Sequence, residues 1–165
     1  MTIQQEKGRL NALKVVAGGD LANGRTIRTL AQLLSLFPGN SFTFVSTPQL
    51  KIGDDIKALL SERGTTFTET ENMLEAFKGA DVVYWTRLQK ERLEGANLES
   101  SYTIDQTALA ALPTDAVIMH PLPRVDEITT EVDADPRAAY FRQVQNGLYA
   151  RMALFDWLFS QKGTV

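Results

Sequence analysis

The sequence predicts an α/β fold in which about five parallel strands form one doubly wound sheet with helices on both faces. Short apolar runs rich in β-forming residues alternate with segments whose apolar residues recur at helical spacing. The run at residues 80–85 has the apolar character typical of a strand covered on both faces. Right-handed crossovers between parallel strands restrict the topology, and the economical doubly wound order is 3-2-1-4-5.

Strands are predicted where short β-type runs occur, at residues 13–17, 41–46, 65–68 (weakly), 80–85 and 116–119. Helices are predicted from the apolar period at residues 26–37, 52–63, 72–77, 104–112 and 138–160. Pro38-Gly39, Gly64 and Pro113 mark helix ends. Residues 94–103 lack a clear period and are expected to form a loop. Residues 1–9 are compatible with a helix, either as a frayed terminus or as the last turns of a longer helix.

The closing helix at residues 138–160 has one broad apolar face, which we expect to be core, with Trp157 a candidate for contact with a partner. The members of this face are Tyr140, Phe141, Val144, Leu148, Met152, Phe155 and Leu158.

Composition narrows the class of protein. A chain of 165 residues favours one domain with its own core. A net charge of −3 and the lack of a basic segment argue against nucleic acid or an anionic membrane as partner. Neither an apolar stretch of about 18 residues nor a signal-peptide core occurs, so we expect no spanning helix and a cytoplasmic protein. The absence of cysteine excludes disulfides and thiolate chemistry, and one histidine excludes a histidine-based metal cluster.

Polar residues follow three of the predicted strands. Ligands of such sheets bind beyond the carboxyl ends of the strands where the strand order reverses, here between the first and fourth strands. Arg25 follows the first strand, whereas Arg87, Gln89 and Arg92 follow the fourth, and the loop after the fifth begins at His120. Two arginines at one crevice suit a ligand with two carboxylates, because each guanidinium can bind a carboxylate through two hydrogen bonds.

The loop that starts at His120 is stiffened by two prolines. Pro121 and Pro123 fix φ and lack an N–H group. Residues that precede proline favour extended backbone, so His120 and Leu122 are expected to be extended, beside carbonyls with few N–H partners. Such carbonyls suit a ligand that donates hydrogen bonds. We interpret His120 as a hydrogen-bonded structural residue, with a general base as the alternative.

The charged residues also have structural interpretations. A loop arginine is usually a solvated charge, although Arg87 directly follows a buried strand. Arg92 and Arg124 have acidic neighbours with which they could pair. These neighbours are Asp126, Glu127 and Glu91. The glycine-rich segment at residues 18–24 does not fit G-x-G-x-x-G, because Leu21 stands where the second glycine should be, so a dinucleotide site is not expected.

Four motifs, in the right order and spread over nearly the whole chain, resemble the aspartate carbamoyltransferase family. They are GDL…GRT at residues 19–26, TRLQKER at 86–92, HPLPRVDEI at 120–128, and DADPRAAYF with QNGLYAR at 133–151. Pro-Leu-Pro after the histidine resembles the aspartate branch, since the ornithine relatives have Cys-Leu-Pro.

The resemblance implies a role for each candidate residue. The family transfers the carbamoyl group of carbamoyl phosphate to the amine of L-aspartate, the committed step of pyrimidine synthesis. By this resemblance Arg25 and Arg87 bind the carboxylates of L-aspartate, Gln89 assists, and the carbonyls of Leu122 and Pro123 accept hydrogen bonds from substrate N–H groups.

The resemblance also implies supporting roles. Arg92, braced by Asp126, would hold the closed state of the enzyme, and Asp133 would pair with Arg151. Neither a metal nor an organic cofactor is expected. Ala22 departs from the lysine of many relatives, which would weaken contacts of its loop.

By the same resemblance the chain corresponds to half an enzyme, its aspartate-binding domain. Family chains are roughly twice as long, and their carbamoyl phosphate domain has no counterpart here. Residues 1–9 then resemble the end of the helix that joins the two domains. We expect a monomer that is inactive alone and belongs to an enzyme that forms homotrimers, with regulatory subunits in some cases.

Three explanations of the length stay open: an excised domain, which we favour, a split enzyme, and a degenerate homologue. The alternative function is a non-catalytic amino-acid-binding, regulatory or assembly module.

Overall fold

The computed structural model describes residues 1–87 and 102–160 and confirms the predicted α/β fold. All strand pairs are parallel, and the sheet order is β3-β2-β1-β4-β5, as predicted. The strands are β1 Lys14–Gly18, β2 Ser41–Val45, β3 Thr66–Thr70, β4 Val82–Trp85 and β5 Val117–Met119. The strand order reverses at β1, so the crevice between β1 and β4 is the expected place for a ligand.

Six α-helices lie within the described residues. They are α1 Thr2–Lys7, α2 Arg25–Leu34, α3 Asp54–Glu62, α4 Met73–Phe77, α5 Gln106–Ala111 and α6 Tyr140–Ser160. Two short 3-10 helices, Pro48–Leu50 and Thr130–Ala134, were not predicted. Helix α5 begins later than predicted because Ile104 forms a β-bridge with Ile128 and the Asp105 side chain caps the helix at Ala108 N.

The core consists of two apolar layers, one on each face of the sheet. β1 contributes Val16 to one layer, which α4 and α5 cover, and Val15 to the other, which α2 and α3 cover. In the first layer Phe77 meets Trp85 edge to face, with 5.5 Å between the ring centroids. Burying one such side chain stabilises the fold by roughly 1.5–3 kcal/mol, so the sheet is held from both sides.

Helix α1 is anchored, so the alternative of a frayed terminus is wrong. Ile3 is buried in the core. Glu6 binds the Arg142 guanidinium of α6 through both carboxylate oxygens, at 2.7 and 2.9 Å. Lys7 pairs with Asp115 at 2.9 Å.

The prediction that the apolar face of α6 belongs to the core is wrong beyond its first residue. Tyr140 is fully buried. The other members of the face, all at least 45% exposed, are Phe141, Val144, Leu148, Met152, Phe155 and Leu158. Only the first turns of α6 reach the sheet and α1, and the helix then runs past them. An amphipathic pattern shows that a helix has an apolar face, but not which surface that face packs against.

Candidate active site

Three site-bearing loops meet at one edge of the sheet. β1, β4 and β5 are neighbours, and their carboxyl ends lead into Arg25, Arg87 and His120. Both arginines are exposed to solvent. Gln89 and Arg92, the other candidates from this region, lie outside the described residues. The sheet order thus brings together three segments that are far apart in sequence.

The ends of β1 and β4 are packed closely against each other at the crevice. The Thr86 N–H and hydroxyl both donate to the carbonyl of Gly18, at 3.0 and 3.1 Å. Gly19 has φ 103°, and a Cβ there would lie 2.1 Å from the Thr86 carbonyl oxygen. Only glycine fits this position. The lack of a Cβ at Gly18 and Gly19 lets the chain pass close to Trp85 and Thr86 at this point.

The loop between β1 and α2 is shaped by a buried carboxylate. Asp20 is 3% exposed, and its Oδ1 accepts hydrogen bonds from both the backbone N and the Nδ2 of Asn23, each at 3.0 Å. The turn places Arg25 as the first residue of α2. Within residues 1–87 and 102–160 the Arg25 guanidinium has no side-chain partner, so it is available to an anion. The positive end of the α2 dipole adds to its attraction.

The loop after β5 presents open carbonyls, but not through the predicted backbone. Leu122 has φ 41° and is followed by a cis peptide bond to Pro123, so the expectation of extended backbone at Leu122 is wrong. The reason is local: the Leu122 N–H turns back to donate to Nδ1 of His120, at 2.9 Å. Among the residues that the structure describes, no N–H donates to the carbonyl of Leu122 or of Pro123.

His120 is enclosed by structural contacts. The residue is 1% exposed, and its backbone N–H donates to Oε1 of Gln143 on α6, at 3.0 Å. Its Nε2 lies 2.9 Å from Oε1 of Glu127, at an angle outside good hydrogen-bond geometry. These contacts agree with the interpretation of His120 as a structural histidine. A side chain this deeply buried could not reach a substrate as a general base.

Glu127 stays ionised despite its burial. Burial alone raises the pKa of this carboxyl, but the His120 side chain and the Val125 N–H, which donates to Oε2 at 3.1 Å, favour the carboxylate. The net effect lowers the pKa of Glu127.

Arg124 pairs with Asp133, not with its acidic neighbours Asp126 and Glu127. Its Nη2 donates to Oδ2 of Asp133 at 2.6 Å, and its Nη1 binds Oδ1 of the same carboxylate. The Tyr140 hydroxyl accepts from Nη1 at 3.1 Å and donates to the carboxylate. Hydrogen bonds from Arg124 lower the pKa of Asp133, whereas burial and Asp133 raise the pKa of Tyr140 to about 12.

The predicted pairing of Asp133 with Arg151 is therefore wrong. Arg151 instead donates to the carbonyl of Gly147, one turn earlier in α6, at 3.2 Å. Arg151 stands about 16 Å along the helix from Tyr140, at 1.5 Å per residue, which puts the Asp133 carboxylate out of its reach. The proposed brace between Asp126 and Arg92 falls partly outside the described residues.

Sequence reasoning missed two residues that support the site, Gln143 and Tyr84. Gln143 joins α6 to the loop after β5 through its bond to His120. The Tyr84 hydroxyl lies against the side chains of Thr26 and Gln143; burial raises the pKa of Tyr84, and these two contacts lower it in part. Neither residue stood out in the sequence, because Gln143 is one of four polar residues between positions 142 and 146 and Tyr84 lies within the apolar run of β4.

Residues 1–87 and 102–160 contain neither a metal-binding cluster nor a membrane-spanning helix. No group of three or more His, Asp or Glu in these ranges could hold a metal ion. No helix there is long and apolar enough to cross a membrane.

Known proteins match this chain over most of its length. The model of the aspartate/ornithine carbamoyltransferase Asp/Orn binding domain matches residues 11–158. A chloroplastic aspartate carbamoyltransferase of Oryza sativa subsp. japonica is 48% identical over 163 residues, which cover 95% of this chain and 45% of the relative. The aspartate carbamoyltransferase catalytic subunit of Clostridium kluyveri is 40% identical over 158 residues, which cover 93% of this chain and 52% of the relative.

Solved structures give the same result. The catalytic subunit of M. jannaschii aspartate transcarbamoylase superposes with a TM-score of 0.92 at 38% identity, covering 99% of this chain and 54% of that one. The chain spans about half the length of the relatives it matches. The matched family model, the sheet order and the loops at the β1–β4 crevice lead to one conclusion: the chain belongs to the family of aspartate/ornithine carbamoyltransferase Asp/Orn binding domains.

Proposed function

We propose that this chain binds L-aspartate as one half of an aspartate carbamoyltransferase, in which carbamoyl phosphate carbamoylates the aspartate amine for pyrimidine biosynthesis. The observation that carries the proposal is the meeting of Arg25, Arg87 and the open carbonyls of the loop after β5 at one sheet edge. Cations and hydrogen-bond acceptors at one crevice match a ligand with two carboxylates and an amine.

Each half of the ligand meets a complementary group. Arg25 and Arg87 hold the two carboxylates of L-aspartate, with Gln89 assisting. The carbonyls of Leu122 and Pro123 accept hydrogen bonds from the amine and from the carbamoyl N–H groups. These contacts orient the nitrogen lone pair toward the carbamoyl carbon.

The reaction is then driven by proximity and electrostatic stabilisation. A C–N bond forms between the aspartate nitrogen and the carbamoyl carbon, the C–O bond to phosphate breaks, and the nitrogen releases a proton. The site does not require a metal or an organic cofactor for these steps.

The second half of the site comes from a separate carbamoyl phosphate domain. The exposed apolar face of α6 supports this proposal, because monomeric proteins rarely expose large contiguous apolar patches. An adjoining apolar groove between α1, α2 and α6, lined by Leu10, Leu33 and Phe37, extends the same surface. Trp157, 58% exposed on α6, remains a candidate for contact with this partner. Trimeric assembly, regulatory subunits and a cytoplasmic location stay predictions.

Ligand titration tests the binding half of the proposal. L-aspartate is added to the chain while amide shifts or heat are recorded, and Arg25→Ala and Arg87→Ala are each expected to weaken binding about tenfold or more, since charge-assisted hydrogen bonds contribute about 1.5–3 kcal/mol each. Arg63→Ala is the matched control, because Arg63 is the C-cap residue of α3 and lies outside the loops that follow β1, β4 and β5. Equal affinity in all variants would refute the assignment.

Complementation tests the enzymatic half. The chain alone is expected to show no carbamoyl transfer, and a separately produced carbamoyl phosphate domain should restore it. Loss of the restored activity in Arg87→Ala would support the enzyme. Aspartate binding without any complementation would favour the non-catalytic binding module instead.

A further inference from the structure

The loop after β5 is closed from within by a buried acid–imidazole contact. The side chains of His120 and Glu127 are 1% and 2% exposed, and their facing atoms, Nε2 and Oε1, lie 2.9 Å apart. His120 is at the start of the loop and Glu127 near its end, so the contact joins the two ends. Leu122 and Pro123 lie between them.

The side chains of His120 and Glu127 also accept hydrogen bonds from backbone N–H groups of the loop. Nδ1 of His120 accepts the hydrogen bond from the Leu122 N–H at 2.9 Å. Oε2 of Glu127 accepts hydrogen bonds from the N–H groups of Val125 and Asp126, at 3.1 and 3.2 Å. The contact therefore fixes the backbone on both sides of the two open carbonyls.

The hydrogen-bond pattern selects one form of the imidazole. Because Nδ1 accepts from Leu122, it carries no proton, and the proton of the neutral ring must be on Nε2, which faces Glu127. A doubly protonated ring would set an N–H at Nδ1 against the N–H of Leu122. The Glu127 carboxylate, 2.9 Å from Nε2, attracts the Nε2–H group electrostatically although the angle is outside hydrogen-bond geometry, and so favours the form of the ring that binds Leu122.

Leu122 depends on this arrangement. A non-glycine residue at φ 41° lies in the left-handed region, which costs of the order of 1 kcal/mol and persists only when its surroundings impose it. The bond to His120 is the polar contact that imposes it, and packing of the Leu122 side chain on the core adds to it.

We propose that His120 and Glu127 are positioning residues, which aim the carbonyls of Leu122 and Pro123 at the amine of the amino-acid substrate. This role rests on the proposed function, since it presupposes that the two carbonyls receive the substrate N–H groups. Neither side chain touches the substrate itself, because both are buried behind the loop.

Glu127→Gln tests the role with an almost isosteric change. One amide oxygen replaces the acceptor for Val125 and Asp126, but the amide NH₂ then meets the Nε2–H of His120, donor against donor. Glu131→Gln is the matched control. This substitution removes the same charge, but from an exposed residue of the following 3-10 helix.

Two ligands separate positioning from general damage. L-aspartate and succinate share both carboxylates, but only L-aspartate has an amine. Titration of the chain should show that Glu127→Gln weakens L-aspartate binding about tenfold, as expected for the loss of hydrogen bonds to a charged group, and changes succinate binding less than about twofold. Equal weakening of both ligands, or no weakening of either, would overturn the positioning role.

His120 variants give a second, graded test. In His120→Asn the amide oxygen takes the place of Nδ1 and can still accept from Leu122, whereas His120→Ala removes both contacts. The preference for L-aspartate over succinate should fall further in His120→Ala than in His120→Asn. The same preference in both variants and in the unmodified chain would contradict the proposal.

Arg25→Ala distinguishes failure of the positioning role from failure of the proposed function. If Arg25→Ala weakens both ligands while Glu127→Gln leaves the ratio of their affinities unchanged, the positioning role fails and the proposed function stands. If Arg25→Ala weakens neither ligand, the proposed function fails. Unchanged thermal unfolding midpoints identify variants that are folded.

Discussion

Arg124 is the main cause of the lowered pKa of Asp133. Hydrogen bonds from Arg124 lower the pKa of Asp133 below its ordinary value of 3.8. A carboxyl whose pKa is lower in the folded state stabilises the fold above its unfolded pKa, and this stabilisation is lost as the pH falls through the folded pKa. Asp135 behaves alike beside Arg137.

We therefore predict that the free energy of unfolding falls as the pH drops below about 4, and that Asp133→Asn flattens part of this fall. Urea denaturation at a series of pH values measures it. Arg124→Met should flatten the same part, because it removes the main cause of the lowered pKa. A profile as steep in both variants as in the unmodified chain would rule out this source of acid sensitivity.

Individual residues of the site were predictable to different degrees. The positions of Arg25 and Arg87 at the sheet edge could be predicted because they follow from strand ends, and strand ends are visible in the sequence. The conformation of Leu122 could not, because leucine has no intrinsic preference for positive φ. Its conformation depends on Nδ1 of His120 and on core packing, which are tertiary contacts.

Strands β1, β4 and β5 were predictable because burial on both faces leaves a continuous apolar run in the sequence. Right-handed crossovers restricted the possible topologies, and 3-2-1-4-5 was the economical choice among doubly wound orders. Burial of α6 was not predictable in the same way, since an apolar face has one pattern whether it meets its own sheet or another protein. The shortened start of α5 escaped prediction because the bridge between Ile104 and Ile128 joins distant segments.

Helix α6 also supports the loop after β5 through Gln143. We predict that Gln143→Leu lowers the free energy of unfolding by about 1–3 kcal/mol, because the partly buried N–H of His120 loses its acceptor. Urea denaturation gives the energy, and amide hydrogen exchange should accelerate at His120. Gln145→Leu is the matched control, since within the described part of the chain the Gln145 side chain bonds only to the exposed Tyr149 hydroxyl.

At the scale of the molecule, the location of the candidate site could be predicted from the sequence. The contacts that support its loops could not. Any parallel sheet of this order gathers the loops after β1, β4 and β5 at one edge. The internal contact between His120 and Glu127 requires a specific loop shape, which two prolines and a run of charges do not specify. The whole arrangement is also open on one side, since the apolar length of α6 has no cover among the residues that the structure describes.

The exposed part of α6 affects how the proposed carbamoyl phosphate domain would bind. Every residue of α6 from position 148 to 160 is exposed, and helices of this length are marginal in water without packing. The segment should therefore exchange its amide hydrogens quickly in the isolated chain and become protected when a carbamoyl phosphate domain is added. Recognition would then be coupled to folding, with a negative heat capacity change and an ordering cost of about 2–5 kcal/mol. Slow exchange of this segment in the dilute isolated chain would show instead that it is ordered in advance.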